Sequence, residues 1–169
     1  MIDSVNYILS ALTILAQIAI VILVIAKITK NQTILEFVNK KVLQLSLLTV
    51  LGGIFGSLFY SEIAGYAPCV LCWWQRVLLY PQAVILTVAL AKKDFAATSY
   101  IKILSLVGVI IAGYQSLLQM NLVPSLPCAA TAVSCAQRYF LTFGYITLPL
   151  MGFTAFALLA VLNWNKKND

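Results

Sequence analysis

Histidine is absent from this sequence, and only five of its 169 residues are acidic. The first absence denies imidazole to any zinc site the chain could build. Charge of either sign is scarce: 9% of residues are charged against 62% apolar, with a mean hydropathy of +0.98. That is too little polar surface to solvate a globular exterior. Repeats, low-complexity tracts and Gly/Ser-rich linkers are also missing, so nothing divides the chain into separately folded parts. The composition reads as an all-α integral membrane protein, one compact bundle in a lipid bilayer.

Five apolar runs are long enough to cross a bilayer at ~20 residues each, over roughly residues 5–28, 42–61, 72–91, 101–120 and 142–164. The first run reads as a membrane helix rather than a signal peptide. Its first charge is Asp3, its apolar core is long, and Lys27, Lys30 and Asn31 after it give no small-residue cleavage pattern. Lysines set the orientation, because cationic residues beside membrane spans stay on the cytoplasmic side. Lys27, Lys30, Lys40 and Lys41 flank the first loop, Lys92, Lys93 and Lys102 the third, and Lys166 and Lys167 the C-terminus. The net charge of +6 is therefore an orientation signal and not a nucleic-acid signature. Tyr60, Tyr66, Trp73 and Trp74 on the outer side and Trp164 on the inner side suit interfacial belts.

The two lysine-free loops, about 62–71 and 121–141, hold all four cysteines, as Cys69-Val70-Leu71-Cys72 and as Cys128 through Cys135. Both pairs thus face the extracytoplasmic side, an oxidising compartment where disulfides persist. A dithiol pair carries two electrons, and two pairs carry them in series. Pro68 is placed to open the third helix, which puts Cys72 in its first turn, where the positive end of the helix dipole stabilises a thiolate. Arg76 follows one turn deeper on the same face. Burying an arginine there is costly, and a guanidinium in that position can hold a thiolate or the developing negative oxygen of an electron acceptor. The competing reading is that Arg76 snorkels to lipid headgroups. Small and polar residues between Cys128 and Cys135 leave that loop mobile and its disulfide accessible to a protein partner, although a static loop staple has the same sequence. Metal binding is disfavoured, because a six-residue interval makes a poor second zinc knuckle.

The run Cys69-Val70-Leu71-Cys72-Trp73-Trp74-Gln75-Arg76 resembles the CxxC-x3-R signature of the DsbB family, quinone-dependent membrane thiol oxidases. Tyr80-Pro81 and Gln119 fit the same pattern. The short interval of the second pair and the segment Gly144-Tyr145-Ile146-Thr147-Leu148-Pro149 are most similar to its BdbC-like branch. The resemblance spans about residues 42–164. It implies a four-helix redox bundle over residues 42–169, with residues 1–41 as an extra N-terminal transmembrane helix and cytoplasmic loop. It also implies ubiquinone or menaquinone beside Cys69–Cys72, with Cys72 contacting the quinone and Cys69 as its disulfide partner. Arg76 would lie near the quinone oxygen, and Gln119 could offer it an amide. Cys128 would take the mixed disulfide with a thioredoxin-fold donor protein similar to DsbA or BdbD, and Cys135 would relay electrons to the CxxC. Three departures stand out: the first helix lies outside the family's usual four, Gln75 stands where some members are acidic, and Gln115 where some carry histidine.

The expected activity is reoxidation of an extracytoplasmic disulfide donor, with electrons passed to the quinone pool. Two rivals come from other classes. A reductase running electrons outward needs a cytosolic source, and no cysteine lies on the cytoplasmic side to receive one. A scaffold or transporter subunit with loop-bracing disulfides is the other, yet the spans contain no acidic residue and no Gly/Pro-broken helix pair that would make a substrate site. The first helix is expected on the rim of the bundle, as a membrane anchor or partner-docking surface.

Overall fold

The structure, a computed structural model, describes residues 2–124 and 133–164. Five α-helices make up the fold: α1 (Ile2–Ile28), α2 (Gln32–Leu58), α3 (Val70–Lys92), α4 (Ala97–Gln119) and α5 (Leu148–Leu162). A π-helical turn, Phe59–Ile63, continues α2. Four of these helical segments are long and apolar enough to span a membrane, and Leu148–Leu162 is a shorter apolar helix. The chain is therefore an all-helical membrane protein, as its composition requires: inside lipid each backbone N–H must find its carbonyl within its own segment.

Helices α2, α3, α4 and α5 contact one another in sequence, and α5 returns to α2, which closes a four-helix ring. Helix α1 lies outside the ring against α5 and, less extensively, α2. Its outer face, including Ile8, Leu15, Ile18, Ile22 and Ile25, is half or more exposed and suits lipid. The ring encloses a core of Val50, Leu86, Ile101, Phe156 and Leu159, each essentially inaccessible. Polar pairs join helices where lipid offers no partner. Ser105 donates to Gln82 at 3.1 Å between α4 and α3, and Asn163 donates to Ser46 at 2.9 Å between the end of α5 and α2.

Close approach of α4 to α5 depends on Gly108. A Cβ at that position would overlap the ring of the fully buried Phe156. Gly108→Ala is expected to destabilise the bundle by about 1–3 kcal/mol, the usual cost of overpacking a filled core. Thermal unfolding in detergent measures this, and an unchanged midpoint contradicts so tight a contact.

The helix boundaries differ from the sequence expectation in two places. Helix α2 begins at Gln32, ten residues before the expected span, because Glu36, Lys40 and Lys41 continue the helix beyond the apolar stretch; only a turn at 29–31 separates it from α1. Helix α5 begins at Leu148 rather than 142. Phe143 (φ 51°) and Gly144 (φ 79°) adopt left-handed backbone in a tight turn closed by the Thr142–Ile146 bridge, and the helix starts after it with Pro149 in its first turn, a position that suits proline. All described lysines gather at the end of the bundle that holds the α1–α2 and α3–α4 turns, and the described cysteines at the other end.

Candidate thiol redox site

Cys69 is the N-cap of α3, with extended backbone (φ −76°, ψ 173°), and Cys72 is the third residue of the helix. The first-turn position expected from Pro68 is thus observed. The two sulfurs stand 3.4 Å apart, with the Cys69 S–H directed at Cys72. That hydrogen bond, together with burial, raises the pKa of Cys69 above the ordinary thiol value.

Two glutamines carry the network inward. Gln115 of α4, 2% exposed, donates from its amide nitrogen to both Cys69 (3.3 Å) and Cys72 (3.4 Å). Its oxygen accepts from Gln75 of α3 at 2.7 Å. The Gln75 side chain in turn occupies space left by Gly152 of α5, where a Cβ would meet its oxygen. Neutral amides stand here where an acid or a histidine was the alternative, and they supply donors to sulfur without a competing negative charge.

Arg76 is 5% exposed and does not snorkel. Its Nε donates to Ser57 Oγ at 2.8 Å and its Nη2 to the Ser57 carbonyl at 2.8 Å, while the guanidinium lies 5.2 Å from the Trp73 ring. Ser57 had no signal in the sequence beyond being a small polar residue near the outer end of a span.

Cys72, Gln75, Arg76 and Gln115 border one end of a cleft of about 240 Å³. The cleft exists because α2 turns Gly52, Gly53 and Gly56 toward it; a Cβ at Gly52 would meet nothing within 4 Å. Leu79 of α3 and Pro149, Met151 and Leu158 of α5 make the remaining walls largely apolar. Tyr60 also lines it, is 4% exposed, and its hydroxyl has no hydrogen-bond partner. The sequence placed Tyr60 in an interfacial belt; instead it is buried, in a three-ring cluster with Tyr66 (5.8 Å) and Phe140 (5.4 Å). A flat apolar molecule carrying acceptor atoms fits this donor set, since the arginine and the unpartnered tyrosine hydroxyl sit at the walls of an otherwise greasy space.

Cys135 is also buried, at 7% exposure. It shares a buried cluster with Leu118 and Cys69. Gln119 explains the burial. Its amide donates to the Gln137 carbonyl at 2.8 Å, and Arg138 donates to the Gln119 carbonyl, so the end of α4 pins the segment down. Gln119 does not line the cleft, and its work in the structure is on the loop. Cys128 lies outside the described residues. Tyr139, stacked on Tyr66 at 4.4 Å and donating to the Ala67 carbonyl at 2.8 Å, ties the second loop to the one that carries the CxxC.

These features define a helical membrane protein built for thiol–disulfide chemistry. Residues 39–165 match the family model for disulfide bond formation protein DsbB, and the chain belongs to that family. It is 46% identical over 107 residues to the SPbeta prophage-derived disulfide bond formation protein B of Bacillus subtilis (strain 168), covering 63% of this chain and 72% of that one. It is 39% identical over 129 residues to the probable disulfide formation protein C of Halalkalibacterium halodurans, covering 73% and 93%. It is 38% identical over 122 residues to a probable disulfide formation protein of Metapseudomonas resinovorans, covering 71% and 85%. No solved structure matches at a significant level. Membership of this family makes the chain a membrane oxidoreductase of disulfide formation.

Proposed function

We propose that this protein reoxidises an extracytoplasmic thioredoxin-fold dithiol protein of the DsbA or BdbD kind and passes the electrons to ubiquinone or menaquinone in the cytoplasmic membrane. The observation that carries the reading is the sequence of contacts Cys135, Cys69, Cys72, cleft: one sulfur packed on the next, and the last bordering a head-sized apolar space beside Arg76. Residues 42–169 form the redox bundle in this reading, with 1–41 as an added helix and turn, and the cysteine end of the bundle faces outward.

The steps balance as exchange in series. A partner thiolate attacks the Cys128–Cys135 disulfide at Cys128, and the second partner thiol resolves the mixed disulfide, leaving the partner oxidised and both loop cysteines reduced. Cys135 then attacks Cys69 of the Cys69–Cys72 disulfide and displaces Cys72 as a thiolate. Cys128 resolves the Cys135–Cys69 bond, which restores the loop disulfide and leaves Cys69 and Cys72 as the dithiol. A bound quinone supplies the sink, taking two electrons and two protons as the Cys69–Cys72 bond closes. The chain's own contribution is electrostatic and positional: Gln115 solvates the Cys72 sulfur, Arg76 stands where negative charge develops, and Tyr60 has an unused hydroxyl to donate.

The test is quinone reduction by the purified dithiol-loaded protein, followed by ultraviolet absorbance, with both quinone classes offered. Arg76→Ala is expected to raise the quinone KM about tenfold or more, the loss of a charge-assisted hydrogen bond of about 1.5–3 kcal/mol. Folded wild-type protein that reduces neither quinone sinks the proposal and leaves the cysteines as loop braces.

A further inference from the structure

The family match begins at residue 39, so α1 stands outside it, yet α1 forms a wall of the cleft. Leu9, Leu12, Thr13 and Ala16 all line it. The helix is fixed there at separate heights. Gln17 donates to Thr154 of α5 at 3.3 Å and accepts from Tyr145 at 2.9 Å, and Lys27 donates to the Val161 carbonyl at 2.6 Å. A loosely attached anchor would have no need of polar ties to α5 and the turn before it, one near mid-helix and one at the inner end.

A second space adjoins the first. A groove of about 570 Å³ runs between α1 and α2, walled by Val5, Phe55, Leu58, Phe59 and Ile63. Leu9, Gly52 and Gly56 border both the groove and the cleft, so the two spaces adjoin along α2. Where they meet, α2 presents no side chain at positions 52 and 56; a Cβ at Gly56 would touch Leu9 at 3.8 Å. At about 240 Å³ the cleft is smaller than the ~300–1,000 Å³ usual for a whole ligand, which suits a ring and leaves a side chain to be housed elsewhere.

We infer that the groove between α1 and α2 holds the isoprenoid side chain of the quinone whose ring occupies the cleft, so that the added N-terminal helix is a part of the acceptor site and sets its preference for prenylated quinones. This rests on the quinone reading above. The groove is apolar along its length, with Glu62 alone as a charged neighbour near the outer surface, and a hydrocarbon chain is the occupant such walls favour.

Two measurements on the full-length protein test it. The first compares ring-only duroquinone and menadione with prenylated ubiquinone and menaquinone as acceptors. Val5→Trp, which fills the groove away from the cleft, is expected to raise the ratio of prenylated to ring-only KM about tenfold. Val24→Trp, outside both spaces, serves as the control for an added indole on α1. A ratio unmoved by Val5→Trp, or moved equally by Val24→Trp, overturns the inference. The second uses a quinone with a diazirine on its side chain, with labelled peptides identified by mass spectrometry. Label on residues 5–9 and 55–63 is the expected result. Label confined to α3, α4 or α5, or no label in a protein that still reduces quinone, overturns the groove alone. Failure of the wild type to reduce any of the four quinones removes the underlying reading as well.

Discussion

Cys72→Ser is expected to abolish acceptor reduction altogether, with turnover at the uncatalysed background, while the protein stays folded. Of the three described cysteines only Cys72 lines the cleft, so neither of the other two described thiols is placed to replace it. Serine keeps the size and the helical position but cannot close a disulfide. The outer exchange should survive in altered form: the Cys69 thiolate, left without its partner, attacks Cys135 of the Cys128–Cys135 disulfide and displaces Cys128 as a thiolate, and no Cys72 thiol is present to resolve the Cys69–Cys135 bond from the inner side. Non-reducing peptide mapping should then find a Cys69–Cys135 disulfide that accumulates in Cys72→Ser and is transient in the wild type. Their packing in a shared buried cluster with Leu118 makes that bond a short movement. Residual turnover above a few per cent of wild type, or no Cys69–Cys135 species, contradicts the order of transfer proposed here.

Much of the fold was legible because lipid leaves the chain few options. Apolar runs of ~20 residues have to be helices, and the lysine pattern fixes which ends lie together. Legibility ended where polar residues took over. The early start of α2 was hidden by Lys40 and Lys41, which look like a loop but sit on a helix that extends past the apolar stretch. The late start of α5 was hidden by Phe143, Tyr145 and Ile146, apolar residues spent on a left-handed turn rather than a helix. In the site, Cys69, Cys72 and Arg76 were readable because a CxxC at a helix start with an arginine one turn on has a chemical logic that spacing alone conveys. Ser57 and Tyr60 were not, since each owes its place to packing between helices far apart in sequence, and Gln115 stood out only as a departure within the family resemblance. Gln119 shows the converse. Its position in the outer half of α4 matched an acceptor ligand, and its side chain turned instead toward Gln137. The cleft-lining Gln115 and the loop-holding Gln119 lie one turn apart on nearly the same face of α4, and sequence periodicity does not tell them apart.

Gln115→Leu is expected to lower turnover about 10²-fold, the scale of removing one preorganised donor from a developing anion, with the acceptor KM little changed. Gln115 is the single residue that donates to both CxxC sulfurs among the described residues. Leucine fills a similar volume, so what is lost is the pair of N–H groups and the acceptor for Gln75. Leaving the half-buried Gln75 amide without its partner adds about 1 kcal/mol of destabilisation, which thermal unfolding registers separately from the kinetic effect. Gln115→His discriminates between chemistry and packing, because a ring N–H restores a donor in a different shape. Recovery of most of the turnover by histidine, against the deep loss with leucine, places the effect on hydrogen bonding to sulfur. Equal losses in both would place it on the fit between α3 and α4. Gln115→Glu takes the argument to its limit: the carboxylate keeps the shape but repels a thiolate in a low-dielectric site, so its loss should exceed that of leucine at neutral pH and ease as the carboxylate is protonated. A neutral amide at this position keeps two sulfurs solvated without holding either back from the electron transfer that follows.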